Sequence, residues 1–404
     1  MKSLEKQLLQ FPVPDEAARQ HSQRLIRVLI DEIERCGGRI SFERYMSLAL
    51  TAPGLGYYVS GNQKLGARGD FVTAPEISPL FSRCLARQCA PILATLAEQG
   101  DAGVLEFGAG SGVMAADILL ELERLGILPA RYCILEVSGE LQQRQQQTLQ
   151  RAVPHLMDRL QWLESLPPAG FRGVVLANEV LDALPVHVFF KEDGRLGEYY
   201  VAWNGEQFVW EKKGFSNELL AARVTALSRS LPDNYRSEIN LAMDAWIASV
   251  AEFTRQAVVL IIDYGFPRHE YYHPQRDQGT LMCHYRHRAH DDPFVYPGLQ
   301  DITAHVDFTA LAEAADAAGL QVAGYNTQAM FLLANGLDTM LQAGDVNDPE
   351  FLNRCRQVKT LTLPGEMGEL FKVMALTKGY HQPLQGFQLQ DLRARLSPNS
   401  ILDK

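Results

Sequence analysis

Residues 104–120, VLEFGAGSGVMAADILL, contain a short apolar strand, a turn with three glycines in five positions, and an apolar helix. Glycine adopts backbone conformations closed to other residues and lets another molecule lie directly against the main chain. Gly108, Gly110 and Gly112 therefore predict a turn that holds a cofactor.

The flanking segments alternate between strand and helix, which is typical of an α/β fold with a parallel, doubly wound sheet. The later strands are almost continuously apolar, as expected where helices cover both faces of a sheet. The predicted elements are a helix at about 112–126, a strand at 132–136, a Gln-rich helix with a solvated polar face at about 139–151, strands at 173–177 and 257–263, a helix at 300–319 and a last strand near 371–377.

An acidic residue ends the second predicted strand. Glu136 stands where a carboxylate accepts hydrogen bonds from both hydroxyls of a ribose, so it predicts an adenosine-containing ligand. The adjacent Val137 is assigned to the same cofactor site.

The glycine spacing separates two cofactors. Dinucleotide sites use G-x-G-x-x-G, whereas this turn reads E-x-G-x-G-x-G and begins at Glu106. That carboxylate is misplaced for a diphosphate but suits the ammonium of an amino-acid tail, or helps to fix the turn. The pattern favours an S-adenosylmethionine methyltransferase over an NAD-dependent oxidoreductase.

Polar residues also follow the next strands. In ANEVLDALPV, residues 177–186, we expect Asn178, Glu179 and Asp182 to face the reacting methyl group, with Glu179 and Asp182 on one face if a helical turn begins there. Asp182 alone could instead be a helix cap. Asp263 is a fourth candidate, which could equally cap the next turn.

Composition narrows the class of protein. The 404 residues carry a net charge of -10, which does not favour binding to nucleic acid. Six cysteines without a C-x-x-C pair indicate reduced thiols, and the acidic N-terminal segment lacks the marks of a targeting peptide, so a cytoplasmic protein is expected. The apolar runs are of strand length, and no membrane association is expected.

The chain is predicted to divide at residue 100. Residues 1–100 form a helical region with an active-site loop within 51–80, and residues 101–404 form the catalytic domain. An insertion at about 186–256 begins with an antiparallel meander, predicted from its E-D-G and N-G turns, and continues as helices.

A histidine-rich segment offers a rival metal site. In CHYRHRAHDD, His284, His287 and His290 are three residues apart and precede two aspartates. The segment lacks the H-E-x-x-H pattern and contains arginines, so we predict a loop that is solvated or faces a substrate or partner, and no metal.

The chain resembles the MidA family of class I S-adenosylmethionine-dependent methyltransferases, whose mitochondrial member methylates an arginine on a subunit of respiratory complex I. The resemblance covers nearly the whole sequence. It is carried by RYMSLAL, GYY, GDFVTAPEIS, LEFGAGSG, ANEVLDALPV, IDYG, GTLMCHYRHR, DITAHVDFT and PGEMGELFKVMALTKG.

The resemblance implies a mostly parallel, seven-stranded, Rossmann-like sheet. It implies that the glycine turn and Glu136 bind the cofactor and that the GDFVTAPEIS loop closes over the site. We assign this lid to residues 66–80, with Thr73 and Glu76 as polar contacts, although Glu76 could equally cap a helix that begins near Ile77. Glu179 and Asp182 would hold the guanidinium of an arginine on a protein substrate. Val180 departs from the family, which often has an aromatic residue there.

Two expectations remain open at this point. The alternative function is an S-adenosylmethionine-binding assembly factor without catalysis, since the insertion and the acidic charge would suit partner docking. A homodimer is among the expected assemblies.

Overall fold

The computed structural model describes residues 11–59, 73–341 and 348–397. The chain forms two compact units, each discontinuous in sequence. The described residues of 1–71, 182–243 and 269–305 make up the first unit, and those of 72–181, 244–268 and 306–404 make up the second. The predicted division at residue 100 stays a prediction.

The strands are, in chain order, β1 Arg39–Ser41, β2 Gly103–Phe107, β3 Tyr132–Leu135, β4 Leu160–Leu163, β5 Phe171–Asn178, β6 His187–Glu192, β7 Arg195–Trp203, β8 Phe208–Lys213, β9 Tyr235–Ile239, β10 Thr254–Phe266, β11 Met282–Tyr285, β12 Arg288–His290, β13 Asp301–Thr303, β14 Val306–Asp307, β15 Gln321–Thr327 and β16 Phe371–Lys378.

The α-helices are α1 Glu16–Arg35, α2 Phe42–Thr51, α3 Ala74–Ile77, α4 Pro79–Ala97, α5 Val113–Arg124, α6 Gly139–Ala152, α7 Glu218–Ser228, α8 Ala242–Phe253, α9 Arg268–Tyr271, α10 Phe308–Ala317, α11 Gln328–Ala334, α12 Leu337–Met340, α13 Pro349–Thr362 and α14 Met367–Leu370. Short 3₁₀ helices occupy Tyr57–Val59, Pro154–Arg159, Gln385–Phe387 and Arg393–Leu396.

A mixed sheet forms the centre of the second unit, in the order β15-β16-β10-β5-β2-β3-β4. The five strands from β10 to β4 are parallel, β16 is antiparallel to both of its neighbours, and β14 pairs with the end of β10. The six apolar residues at 257–262 are fully buried. The predicted α/β class is confirmed, and the carboxyl ends of the parallel strands lie at one edge, where such sheets bind ligands.

The first unit contains a five-stranded antiparallel sheet, in which β1, β7, β6 and β9 follow one another and β8 pairs with β7. The predicted meander is confirmed. Its first turn contains Asp193 and Gly194, both at positive φ, which is the turn type that suits a two-residue hairpin loop. Strand β9 lies in a stretch that the sequence predicted to be helical.

One predicted helix is wrong over half of its length. Residues 301–303 form β13 and 306–307 form β14, and the helix begins only at Phe308. Asp307 caps this helix by accepting from the backbone N–H groups of Thr309 and Ala310, so the helix begins at an N-cap residue. No helix in the described ranges is long and apolar enough to cross a membrane.

Candidate active site

The glycine turn joins β2 to α5 in the second unit, as predicted. Gly108, Gly110 and Gly112 have φ angles of 61°, 53° and 84°, which belong to the left-handed region. The N–H of Gly108 donates to the carbonyl of Leu135 at 3.0 Å and ties the turn to the end of β3. The turn therefore lies at the carboxyl edge of the sheet.

Gly112 makes a close helix contact that the sequence did not predict. A Cβ atom there would lie 3.0 Å from the Cα of Gln145 on α6. The glycine lets α6 approach the turn closely, so at this position the neighbour is the chain itself.

Gln145 lies on the buried face of α6, opposite the exposed glutamines of the predicted solvated face. Its side chain is 0% exposed. Its amide nitrogen donates to the carboxylate of Glu136 at 2.9 Å and to the carbonyl of Gly110 at 3.1 Å. The spacing of Leu141, Gln145 and Leu149 at i, i+4 and i+8 was the available signal, because it places Gln145 on the same helix face as the buried Leu149.

Glu106 lies inside the fold. Its side chain is 1% exposed, and the hydroxyl of Tyr132 donates to it at 2.6 Å. Burial raises the pKa of Glu106 to about 7; the Tyr132 hydrogen bond opposes this, and the charge of Glu136 adds to it. The Tyr132 bond joins β2 to β3 inside the sheet, which is consistent with a structural role. The alternative contact with an ammonium group stays a prediction.

Glu76 reaches the glycine turn from α3. The hydroxyl of Ser111, the residue between Gly110 and Gly112, donates to the carboxylate of Glu76. Thr73 is the N-cap position of the same helix but makes no side-chain cap bond. Glu76 therefore contacts the glycine turn, whereas the predicted role of Thr73 stays a prediction. Of the predicted closing segment 66–80, residues 66–72 lie outside the described residues.

The segment after β5 is a turn and not a helix, so Glu179 and Asp182 do not share a helical face. Glu179 has a φ of 54°, which is uncommon for a residue with a Cβ atom. Its N–H donates to the carbonyl of Ile262 at 2.9 Å, and the side-chain amide of Asn178 donates to its carboxylate at 3.1 Å. The neighbouring strand therefore holds Glu179 in this conformation.

Asp263 has structural contacts. It is 0% exposed, and its carboxylate accepts from the backbone N–H groups of Leu181 at 3.0 Å and Tyr264 at 2.9 Å. These bonds fix the turn after β5 to β10. They support the capping alternative for Asp263 rather than the catalytic role.

In the first unit, Tyr58 lies near two buried carboxylates. Its hydroxyl donates to Asp301 at 2.8 Å, and Asp301 is 3% exposed. Burial, with the charges of Asp301 and then Asp182, raises the pKa of Tyr58 well above its ordinary value. Sequence reasoning did not single out Asp301 or Tyr58 as site residues, because no local spacing connects them.

A family model described as "Putative S-adenosyl-L-methionine-dependent methyltransferase" matches residues 84–326, more than half of the chain. The chain belongs to this family. The match contains the glycine turn, Glu136 and the segment after β5. The chain is therefore an S-adenosylmethionine-dependent methyltransferase, and the predicted resemblance to the MidA family is confirmed.

Solved and curated members of this methyltransferase family cover most of the chain. A Burkholderia thailandensis protein, crystallised with S-adenosyl-homocysteine, is 45% identical, has a TM-score of 0.90 and covers 95% of this chain and 99% of its own. The protein arginine methyltransferase NDUFAF7 of Danio rerio is 31% identical and covers 84% of this chain and 83% of its own. The human protein of that name is 28% identical and covers 94% and 89%.

The cytoplasmic expectation is contradicted by these relatives. The zebrafish, rat and human proteins are all named as mitochondrial. The expectation rested on the cysteine pattern and on the composition of the N-terminal segment, which is weaker evidence than the names of relatives that cover most of the chain.

The glycine turn and the residues after β3 fit S-adenosylmethionine, the cofactor of this methyltransferase family. Glu136 supplies an anionic acceptor at the end of β3, and the neighbouring Val137 presents an apolar side chain that is 75% exposed. A Cβ atom on Gly108 would have Val180 Cγ2, at 3.8 Å, as its nearest neighbour, so this part of the turn is open. The Glu136 carboxylate suits the two hydroxyls of the ribose, and the apolar Val137 side chain suits the adenine ring.

The histidine-rich segment forms a hairpin of β11 and β12 in the first unit, where a loop was predicted. Arg286 and His287 occupy its turn, both at positive φ. No group of three or more histidine, cysteine or acidic side chains arranged to hold a metal ion occurs in the described part of the chain.

Proposed function

We propose that this methyltransferase acts on an arginine side chain of a protein. The observation that supports arginine as the methyl acceptor is the name of the NDUFAF7 relatives, which are called protein arginine methyltransferases. Their alignments with this chain cover more than four fifths of this chain and of each relative. We further propose that the mixed sheet is the doubly wound, seven-stranded class I type, with β14 as an addition at the end of β10.

We propose that Gly108 and Gly110 carry the main chain past the cofactor and that Glu136 and Val137 hold its adenosine. Glu76 and Thr73 support this part of the site through Ser111 and the start of α3. When bound, S-adenosylmethionine supplies an electrophilic methyl group on a sulfonium.

Asn178, Glu179 and Asp182 are proposed to receive the substrate. A guanidinium has a pKa above about 12 and is a poor nucleophile while protonated, so a carboxylate must bind and orient it. Glu179 suits this task because the bond to Ile262 holds its main chain in an uncommon conformation, a form of strain found at functional sites. Asn178 orients its carboxylate.

The substrate test uses S-adenosyl-L-[methyl-³H]methionine and protein extract from a host strain that lacks this gene. The expected product is labelled methylarginine, detected after acid hydrolysis. Glu179→Gln and Asp182→Asn are expected to lower the rate by about 100-fold or more, the usual contribution of a positioned acid or base. Both variants should still bind S-adenosylhomocysteine.

Asp193→Asn is the matched control, because Asp193 is exposed and lies in the turn of the β6-β7 hairpin. Label on another residue type would refute the arginine acceptor. Full activity in both variants would refute the carboxylate assignment. A biological function that survives both substitutions would favour the non-catalytic assembly factor. The homodimer stays a prediction that light scattering can test.

A further inference from the structure

Gln145 connects three parts of the second unit that are far apart in sequence. It lies in the middle of α6, where the nearby Gln143 and Gln146 are exposed, yet its own side chain is 0% exposed. Its amide meets the glycine turn, the carboxylate of Glu136, and the indole of Trp162 on β4. Burying a primary amide is unfavourable unless its hydrogen bonds are made.

Chemistry fixes the orientation of this amide. The Nε1–H group of Trp162 can only donate, and it lies 3.0 Å from the amide oxygen of Gln145. The amide nitrogen then faces two groups that can only accept, the carboxylate of Glu136 at 2.9 Å and the carbonyl of Gly110 at 3.1 Å. Its two N–H groups match two acceptors, so the opposite orientation would place acceptors against acceptors.

The Glu136 carboxylate is held from two sides. The N–H of Ser138 donates to one oxygen at 2.9 Å, and Gln145 donates to the other. Two bonds to different oxygens fix the plane of the carboxylate. Because Gln145 also holds Gly110, the position of that plane is tied to the glycine turn.

We propose that Gln145 is a positioning residue for the cofactor, which sets the orientation of Glu136 for the two ribose hydroxyls. It makes the carboxylate and the glycine turn one rigid surface for the adenosyl group. This inference rests on the proposed assignment of Glu136 to the ribose. It adds a specificity role for the side chains of Gln145 and Trp162, neither of which needs to touch the cofactor.

The test is calorimetric titration with S-adenosylhomocysteine and with its 2′,3′-dideoxy analogue. Gln145→Glu keeps the shape but turns a donor toward Glu136 into a like charge. Gln145→Met removes the polar atoms at similar volume. Each variant is expected to lower the affinity for S-adenosylhomocysteine about tenfold or more, the loss expected when a hydrogen bond to a charged group is removed. Gln146→Glu is the control, since it makes the same charge change on an exposed neighbour.

The dideoxy analogue separates positioning from a structural role. If Gln145 positions Glu136, the wild-type protein loses affinity for the analogue, and the Gln145 variants bind that analogue about as well as the wild type does. An equal loss for both ligands would mean that the variants only damage the fold, and would overturn the proposal.

Trp162→Phe provides a milder variant if the Gln145 variants do not fold. Removing the indole N–H releases the amide orientation, so a smaller loss confined to S-adenosylhomocysteine is expected. A wild-type protein that binds both ligands equally would overturn the proposal through its premise on Glu136. None of these binding results depends on which residue receives the methyl group. They therefore do not test the proposal of arginine methylation, which has its own experiment.

Discussion

Replacing Glu106 by glutamine is expected to stabilise the protein in mildly alkaline solution. Glu106 is 1% exposed, and burial raises its pKa to about 7 from an ordinary 4.5. Glutamine has the same shape, is neutral at every pH, and its amide oxygen can accept the Tyr132 hydrogen bond. The substitution therefore removes a buried charge and keeps the bond.

The magnitude follows from proton linkage. At about 1.4 kcal/mol per pH unit, the difference between the two pKa values corresponds to about 3 kcal/mol. The folded state holds the proton more tightly than the unfolded state, so this stability is fully present below pH 4.5 and is lost as the pH rises to about 7. Glu106→Gln should match the wild type near pH 4.5 and exceed it by up to about 3 kcal/mol at pH 8.

Urea unfolding followed by circular dichroism at pH 5, 6, 7 and 8 would measure this difference. Equal m-values are required, so that the free energies of unfolding can be compared. Glu164→Gln is the control, because Glu164 is exposed. Tyr132→Phe removes the hydrogen bond that lowers the Glu106 pKa, and should extend the loss of stability above pH 7.

One result would refute the reasoning. If Glu106→Gln lowers stability at pH 8 by more than about 1 kcal/mol, the native protein holds Glu106 as a stabilised anion. The buried carboxylate would then contribute its charge to the site, and the assignment of Glu106 to a structural role would have to be abandoned.

Three further predictions concern the same unit. Gly112→Ala should destabilise the fold by about 1–3 kcal/mol and weaken S-adenosylhomocysteine, because the residue combines a φ of 84° with a Cβ position 3.0 Å from the Gln145 main chain. Gly139→Ala is the control, because an added Cβ at Gly139 meets no atom within 4 Å; thermal unfolding and calorimetric binding should stay unchanged. Asp117→Asn should raise the unfolding midpoint above pH 6 but not below pH 4, since burial raises the pKa of Asp117 to about 6; an unchanged pH profile would contradict this. Gly173→Ala should abolish soluble expression, because its Cβ would lie 1.8 Å from the carbonyl oxygen of Gly103 on β2; a stably folded variant would contradict this.

Local patterns were enough for most of the central sheet. Apolar runs at 173–177 and 257–263 predicted β5 and β10, since a strand covered on both faces needs no polar side chains. The E-D-G and N-G turns predicted the meander, because the residues of a hairpin turn are set by local backbone geometry. Strand β9 was missed because it lies in a stretch with a helical apolar pattern. Strands β13 and β14 were missed because two or three residues carry too little periodicity to distinguish a strand from a helix.

The candidate site divides in the same way. The sequence alone determined the glycine turn, the acid at the end of β3 and hence the class of cofactor, since these features depend on residues close together in the chain. Only the tertiary structure decided that Glu106 and Asp263 are buried, that Gln145 holds Glu136, and that Tyr58 meets Asp301 across 243 residues. Burial and hydrogen bonding of a polar side chain depend on which distant segments pack against it, and spacing along one segment contains no information about that packing.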